Sequence, residues 1–162
     1  MTPLTALDPV WLGLWCFGLT LVSAVVPWVN AEVIVLALPT VAKSPTSLLV
    51  FLLIATAGQM TGKCFVYLAG RRGSRVSPRF ESTVAKWRGK MEGHPSKSTA
   101  LVLVSSITGI PPFYVVTLLA GALRMDFGRF LAAGTIGRLI RFGAVVSVPQ
   151  LLLTLIHHAG MH

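Results

Sequence analysis

An all-α, polytopic membrane protein is the fold class that three features of this 162-residue sequence predict. Hydrophobic residues make up 54% of the chain and charged residues only 12%, with a mean hydropathy of +0.75, too apolar for a soluble domain with a polar surface. The apolar residues fall into runs over 10–42, 46–69, 99–123 and 130–156, each on the scale of the roughly 20 residues that cross a bilayer as helix. Ten prolines and fifteen glycines, many inside those runs, predict broken rather than straight spans; membranes tolerate such breaks where the freed backbone is covered. The length fits one membrane domain over 1–162, with a first half at 10–69, a basic loop at 71–98 and a second half at 99–157.

The first run is too long for one span. Val10 to Ala42 at about 1.5 Å per residue would reach about 50 Å, against a hydrocarbon core of about 30 Å. Pro27 supplies the break, predicting a transmembrane helix over Val10–Val26 and a half-length, re-entrant arm over 28–38 closed by Pro39. That arm carries Asn30 and Glu32, and Glu32 is the single acidic residue between Asp8 and Glu81. A carboxylate at bilayer depth costs several kcal/mol unless paired, protonated or facing a wet cavity. Glu32 is therefore the residue to explain, either as a functional group or as a group near an interface bonded to its own backbone. No Lys or Arg precedes the run, so no cleavable signal is expected and the run is expected to stay as an anchor.

Thr46 to Ala69 follows as the cleanest span, with Gly58 and Gly62 on one helix face where another backbone can approach closely. Lys63 is its lone charge, expected either to snorkel toward the basic loop or to pair with Glu32. Eight of the fourteen Lys and Arg lie between Arg71 and Lys97, which places that loop in the cytoplasm by the positive-inside rule and near anionic headgroups. Within it, Phe80, Val84, Trp87 and Met91 share one face of an amphipathic helix over Pro78–Met91, a reading that competes with a plain solvated loop. Without aromatic interleaving the basic residues do not suggest a nucleic-acid surface.

In the third run, Gly109-Ile110-Pro111-Pro112 disfavours helix between two flanks of about 18 Å each, half a bilayer. A hairpin entering and leaving on one side is expected, with a kinked single span as the alternative. The last run carries Arg138 and Arg141 three apart on one face, with Pro149 expected to break it further on. Two arginines inside a span need partners or must snorkel to an interface.

Cys16 and Cys64 read as small buried hydrophobes, and His157, His158 and His162 as a polar cap, so neither metal nor other cofactor is expected. There is no Ser/His/Asp pattern, phosphate loop or HExxH, and an enzyme is not expected. The two broken segments are weakly alike: 27–38 and 112–123 share a proline, an aromatic and an Ala-Leu ending, and Gly62-Lys63 echoes Gly137-Arg138. Pro-broken hydrophobic segments at matching places in two halves point to a transporter's substrate site at the repeat interface. Such a site would combine Glu32, Asn30, Thr117, Arg138, Arg141 and Lys63.

Gly58-xxx-Gly62-xxxx-Tyr67-xx-Gly70-Arg71 resembles the motif that precedes the cytoplasmic loop in the DedA superfamily, whose shared region is called the SNARE-associated or VTT domain. Pro111-Pro112-Phe113, Ala120-Gly121, Met125 and Phe130 followed by Gly137 resemble its second half, so the resemblance runs from about Pro27 to Phe142. Glu32 falls where many members carry an acid in the first re-entrant segment. After the second glycine many members carry another acid, where this chain has Lys63. Members that move phosphorylated carriers often have arginines at two positions before the Ala-Gly pair, here Ile107 and Phe113. The resemblance implies two opposed re-entrant hairpins in a bacterial inner membrane. It implies lipid translocation too: scrambling of phospholipids or flipping of a lipid carrier, linked to the proton gradient.

The expected partners are membrane lipids, with homo-oligomerisation left open and nucleic acid excluded. Glu32 would titrate protons or bind a headgroup ammonium, and the arginines would engage phosphate or pair with Glu32. Two other classes compete. A proton-coupled exporter of small cations would use the same Glu32, and a non-catalytic assembly protein would use the glycines for packing and the basic loop for docking.

Overall fold

Among the residues that the computed structural model describes (8–26, 29–72, 78–91 and 94–159, with side chains to 148) there are seven helices and no strand. They are α1 Pro9–Val25, α2 Ala31–Val41, α3 Pro45–Arg71, α4 Pro78–Met91, α5 Pro95–Thr108, α6 Phe113–Ala122 and α7 Phe127–Ala159. Only α3 and the 127–148 part of α7 are long and apolar enough to cross a membrane as single helices. The proline expected to break the first run, Pro27, lies outside the described residues, as do the side chains of Phe80, His157, His158 and His162.

Local chemistry sets the helix ends. Asn30 caps α2 by accepting from the Glu32 N–H at 2.9 Å. Ser44 and Ser47 cap the start of α3 reciprocally, ahead of Pro45 in its first turn. Gly109, at φ 77°, ends α5 in the left-handed conformation that glycine adopts without penalty. The Ile110–Pro111 bond is cis, and the Pro111 carbonyl accepts from Ser105 Oγ at 2.6 Å before α6 begins. Proline-driven breaks fail at two expected places. Pro39 lies inside α2, where Thr40 Oγ1 donates to the Ala37 carbonyl at 2.6 Å and the Ala42 N–H to Leu38 at 2.9 Å, carrying the helix past the missing donor. Pro149 likewise lies inside α7, a 33-residue helix that loses one hydrogen bond there and not its path.

Glycines decide how the helices meet. A Cβ at Gly58 would strike the Phe17 carbonyl and Thr20, and one at Gly62 would strike Ala24 and the Leu21 carbonyl, so α1 lies backbone to backbone along α3 in the same direction. Farther along α3, Gly70 meets the Leu118 carbonyl and Gly121 meets that of Tyr67, seating α6 on the same helix. Gly137 meets Ser106 and the Leu103 carbonyl, which lays α5 along α7. The short helix of each half thus packs on the long helix of the other, α6 on α3 and α2 on α7. One buried cluster gathers Val35, Phe51, Ala55 and Phe142, and another gathers Met60, Tyr67, Phe113 and Phe130.

Candidate functional site

The two chain reversals, α1 to α2 and α5 to α6, are joined by one side chain from α7. Arg141 donates through Nε to Glu32 Oε1 at 2.7 Å, and its Nη2 bonds the same oxygen. Its Nη1 donates to the Ile107 carbonyl at 2.7 Å, in the last turn of α5. The guanidinium also covers Gly109, where a Cβ would stand 3.2 Å from Nη1, so the bare glycine makes room for it. Glu32 sits in the first turn of α2, where the helix dipole favours a negative charge. Its side chain is 31% exposed and that of Arg141 21%, so a small molecule can still reach this ion pair.

Next to that pair lies a second group of charges with no carboxylate in salt-bridge contact among the described residues. Arg138, one turn before Arg141, is 9% exposed, and its guanidinium lies 4.7 Å from the Phe113 ring centroid and 5.9 Å from that of Phe142. Its Nε has no hydrogen-bond partner among the described residues. Lys63 reaches the same ring from α3, with Nζ 5.7 Å from the Phe113 centroid and 5.2 Å from that of Tyr114. Lys63 Nζ also donates to the Ala24 carbonyl at 2.7 Å, in the last turn of α1. Neither expected fate of Lys63 holds: it does not extend to the basic loop and does not pair with Glu32. A carbonyl left open at a helix end and two aromatic faces supply the nearer partners. Three cations and one carboxylate therefore meet where α2 and α6 begin.

The residue model of the VTT domain matches positions 26–151. The chain belongs to the VTT-domain family, also called the DedA or SNARE-associated family. No curated protein and no solved structure matches the chain significantly. The family is membrane-associated, in keeping with the two span-length helices.

Within this VTT domain the motif residues are seam residues. Gly58 and Gly62 face α1, Gly70 and Gly121 close the α3–α6 contact, and Tyr67 is fully buried with its hydroxyl donated to the Met125 carbonyl. Arg71 is exposed in the last turn of α3, where a cation suits the helix dipole. Pro111 and Pro112 form the reversal beside Arg141 rather than contributing a side-chain group. Of the six polar candidates, Glu32 and Arg141 meet, and Arg138 and Lys63 share a ring. Asn30 is spent on capping. Thr117 is fully buried and donates to the Phe113 carbonyl of its own helix at 2.7 Å, so its hydroxyl proton is committed within α6. Sequence reasoning missed the role of Phe113, although the residue stands in the Pro-Pro-Phe motif. It also missed Gln59, whose Nε2 donates to Ser23 Oγ at 3.1 Å while its buried Oε1 has no partner among the described residues. Gln59 stands one turn before Lys63 on the same face, and that spacing was the available signal.

Proposed function

We propose that this VTT-domain protein moves a phospholipid or related amphiphile between the leaflets of a bacterial inner membrane, as a scramblase or flippase. The observation that carries this reading is the Arg141 bridge from Glu32 to the Ile107 carbonyl. It puts an ion pair between two chain reversals, beside the buried Lys63 and Arg138, in a bundle whose two core clusters are apolar. Lipid transfer needs such a place, where a headgroup meets charge while its chains stay in hydrocarbon.

In this proposal both reversals are re-entrant hairpins, and the halves are a repeat. Support comes from the matched order of α1–α2–α3 and α5–α6–α7, and from α2 and α6 at about 15–16 Å each, half of a ~30 Å core. Lys63 and Arg138 favour an anionic headgroup phosphate, because two cations short of counter-charge gain most from one. The same excess repels a small cation and weighs against the exporter. The assembly reading loses its main feature as well, since Gly58, Gly62 and Gly70 are consumed inside one chain. The basic segment would face the cytoplasm, anchored by α4, whose Val84, Trp87 and Met91 are half-buried while Lys86, Arg88 and Lys90 are exposed.

Exchange of a fluorescent phospholipid between leaflets of proteoliposomes, with and without a pH gradient, tests this directly. Wild type should accelerate exchange over protein-free vesicles, and Glu32→Gln should lose at least tenfold of that acceleration. A folded wild type that accelerates nothing would end the lipid-transfer proposal.

A further inference from the structure

A second charged hollow lies at the other end of the helices. Where α4, α5 and α6 come together, a cavity of about 520 Å³ is lined by Arg88, Met91, Ser98, Leu123, Arg124 and Met125. That volume is within the range of small-molecule sites. Ser98 stands about 14 Å before Ile107 along α5, and Phe127, just past Met125, stands about 21 Å before Arg141 along α7. The hollow is therefore well separated from the Glu32–Arg141 bridge, at the end of the bundle where the basic segment joins it.

Its composition is amphipathic. Arg88 and Arg124 are exposed, and neither has a carboxylate within salt-bridge reach among the described residues. Met91, Leu123 and Met125 supply the apolar part of the lining. Two guanidinium groups over apolar side chains match a phosphate with hydrocarbon attached.

Arg124 adds an independent observation. It has φ 55°, the one non-glycine residue with positive φ among the described residues. It follows α6 in a closed helix end, with the Met125 N–H bonded to the Ala120 carbonyl at 3.0 Å and the Arg124 N–H to that of Gly121 at 2.9 Å. Glycine ordinarily holds this place, since a side chain is strained in the left-handed region. The charge of an arginine there suits the dipole at the end of α6, but glycine would hold this backbone without strain, and strain of this kind collects at ligand sites.

We propose that this cavity seats the headgroup of an anionic phospholipid, with its phosphate held between Arg88 and Arg124, as a fixed lipid site separate from the transfer path. Met91, Leu123 and Met125 beside the two arginines, at the end of the bundle where the span-length α7 begins, favour a membrane lipid over a soluble anion.

Binding of short-chain phosphatidylglycerol and phosphatidylcholine to the full chain in neutral detergent, followed by native mass spectrometry, tests the site. Phosphatidylglycerol should bind at least tenfold tighter than phosphatidylcholine, and Arg88→Ala with Arg124→Gly together should erase that preference. Arg124→Gly alone should weaken phosphatidylglycerol several-fold while leaving the thermal midpoint of the lipid-free protein unchanged or higher, because glycine relaxes the backbone. Leaflet exchange by Arg124→Gly should equal wild type. Equal phosphatidylglycerol binding by wild type and the double variant would overturn the proposal. So would competition by free glycerophosphoglycerol as effective as that of the intact lipid, which would mark a soluble-anion site.

Discussion

Arg141 and Arg138 stand one turn apart on the same helix, yet their surroundings are opposite. Arg141 has Glu32 and the Ile107 carbonyl, and keeps a fifth of its side chain exposed. Arg138 is more deeply buried and has two aromatic faces, an Nε without a partner among the described residues, and Lys63 across the same ring. A structural ion pair needs only the first arrangement. The second holds a largely buried cation with no carboxylate in direct contact among the described residues, Glu32 acting on it only through space. In the proposed lipid-transfer reading, the contrast separates a latch, which ties two chain reversals together, from a receptor, which would gain from an incoming negative charge.

Breaking the latch should have the largest effect. Arg141→Ala leaves the Glu32 carboxylate and the Ile107 carbonyl without their partner, and losing one member of a buried pair costs about 3–5 kcal/mol, less here for the partial exposure. Thermal unfolding in detergent should show a clear drop in midpoint, and leaflet exchange should fall at least tenfold. Glu32→Gln with Arg141→Gln should be markedly more stable than Arg141→Ala, since no charge is then stranded. Equal stability of the two proteins would show that the pair carries no coupling.

Arg138→Met should give the opposite sign. Replacing a buried charge with an apolar side chain of similar length is often neutral or stabilising, by about 1–4 kcal/mol. The midpoint should hold or rise while exchange of an anionic lipid slows about tenfold, and exchange of a neutral amphiphile should change less. A fall in stability with unchanged exchange would make Arg138 a structural residue.

The sequence already separated some of this. A lone acid in a 33-residue run without Lys or Arg marked Glu32, and arginines three apart marked the face that answers it. Two consecutive prolines after a glycine marked the α5–α6 reversal, because both the missing donors and the steric limit on the preceding residue act locally. Single prolines misled: Pro39 and Pro149 lie inside helices, where one missing donor is cheaper than abandoning the rest of the ladder. The distinction between Arg138 and Arg141 was not legible, since it depends on which residues of α2, α5 and α6 pack against α7. Lys63 shows the same limit, because its nearest acceptor is a backbone carbonyl 39 residues earlier in the chain.

The shared ring can be tested at smaller amplitude. Phe113→Leu keeps apolar volume but removes the π face under Arg138 and Lys63, and each such contact contributes about 0.5–2 kcal/mol. The midpoint should fall modestly, and Phe113→Tyr should restore most of it. If Phe113→Leu is no less stable than wild type, the aromatic face is not what holds the two cations.

The smallest effect is expected at Thr117, and it sets the boundary of the site. Thr117 is as fully buried as any residue here, and polar, so position alone would admit it to a polar path. Its hydroxyl, however, is committed to the Phe113 carbonyl at 2.7 Å. That carbonyl belongs to the first turn of α6 and keeps its helical bond to the Thr117 N–H, so it is not orphaned when the hydroxyl goes. Thr117→Val preserves shape and should change stability by no more than about 1 kcal/mol, the net value of one such bond. Leaflet exchange should equal wild type. A tenfold loss in a folded Thr117→Val protein would mean that the hydroxyl leaves its own helix during transfer, and would extend the path along α6 beyond the cations at Phe113.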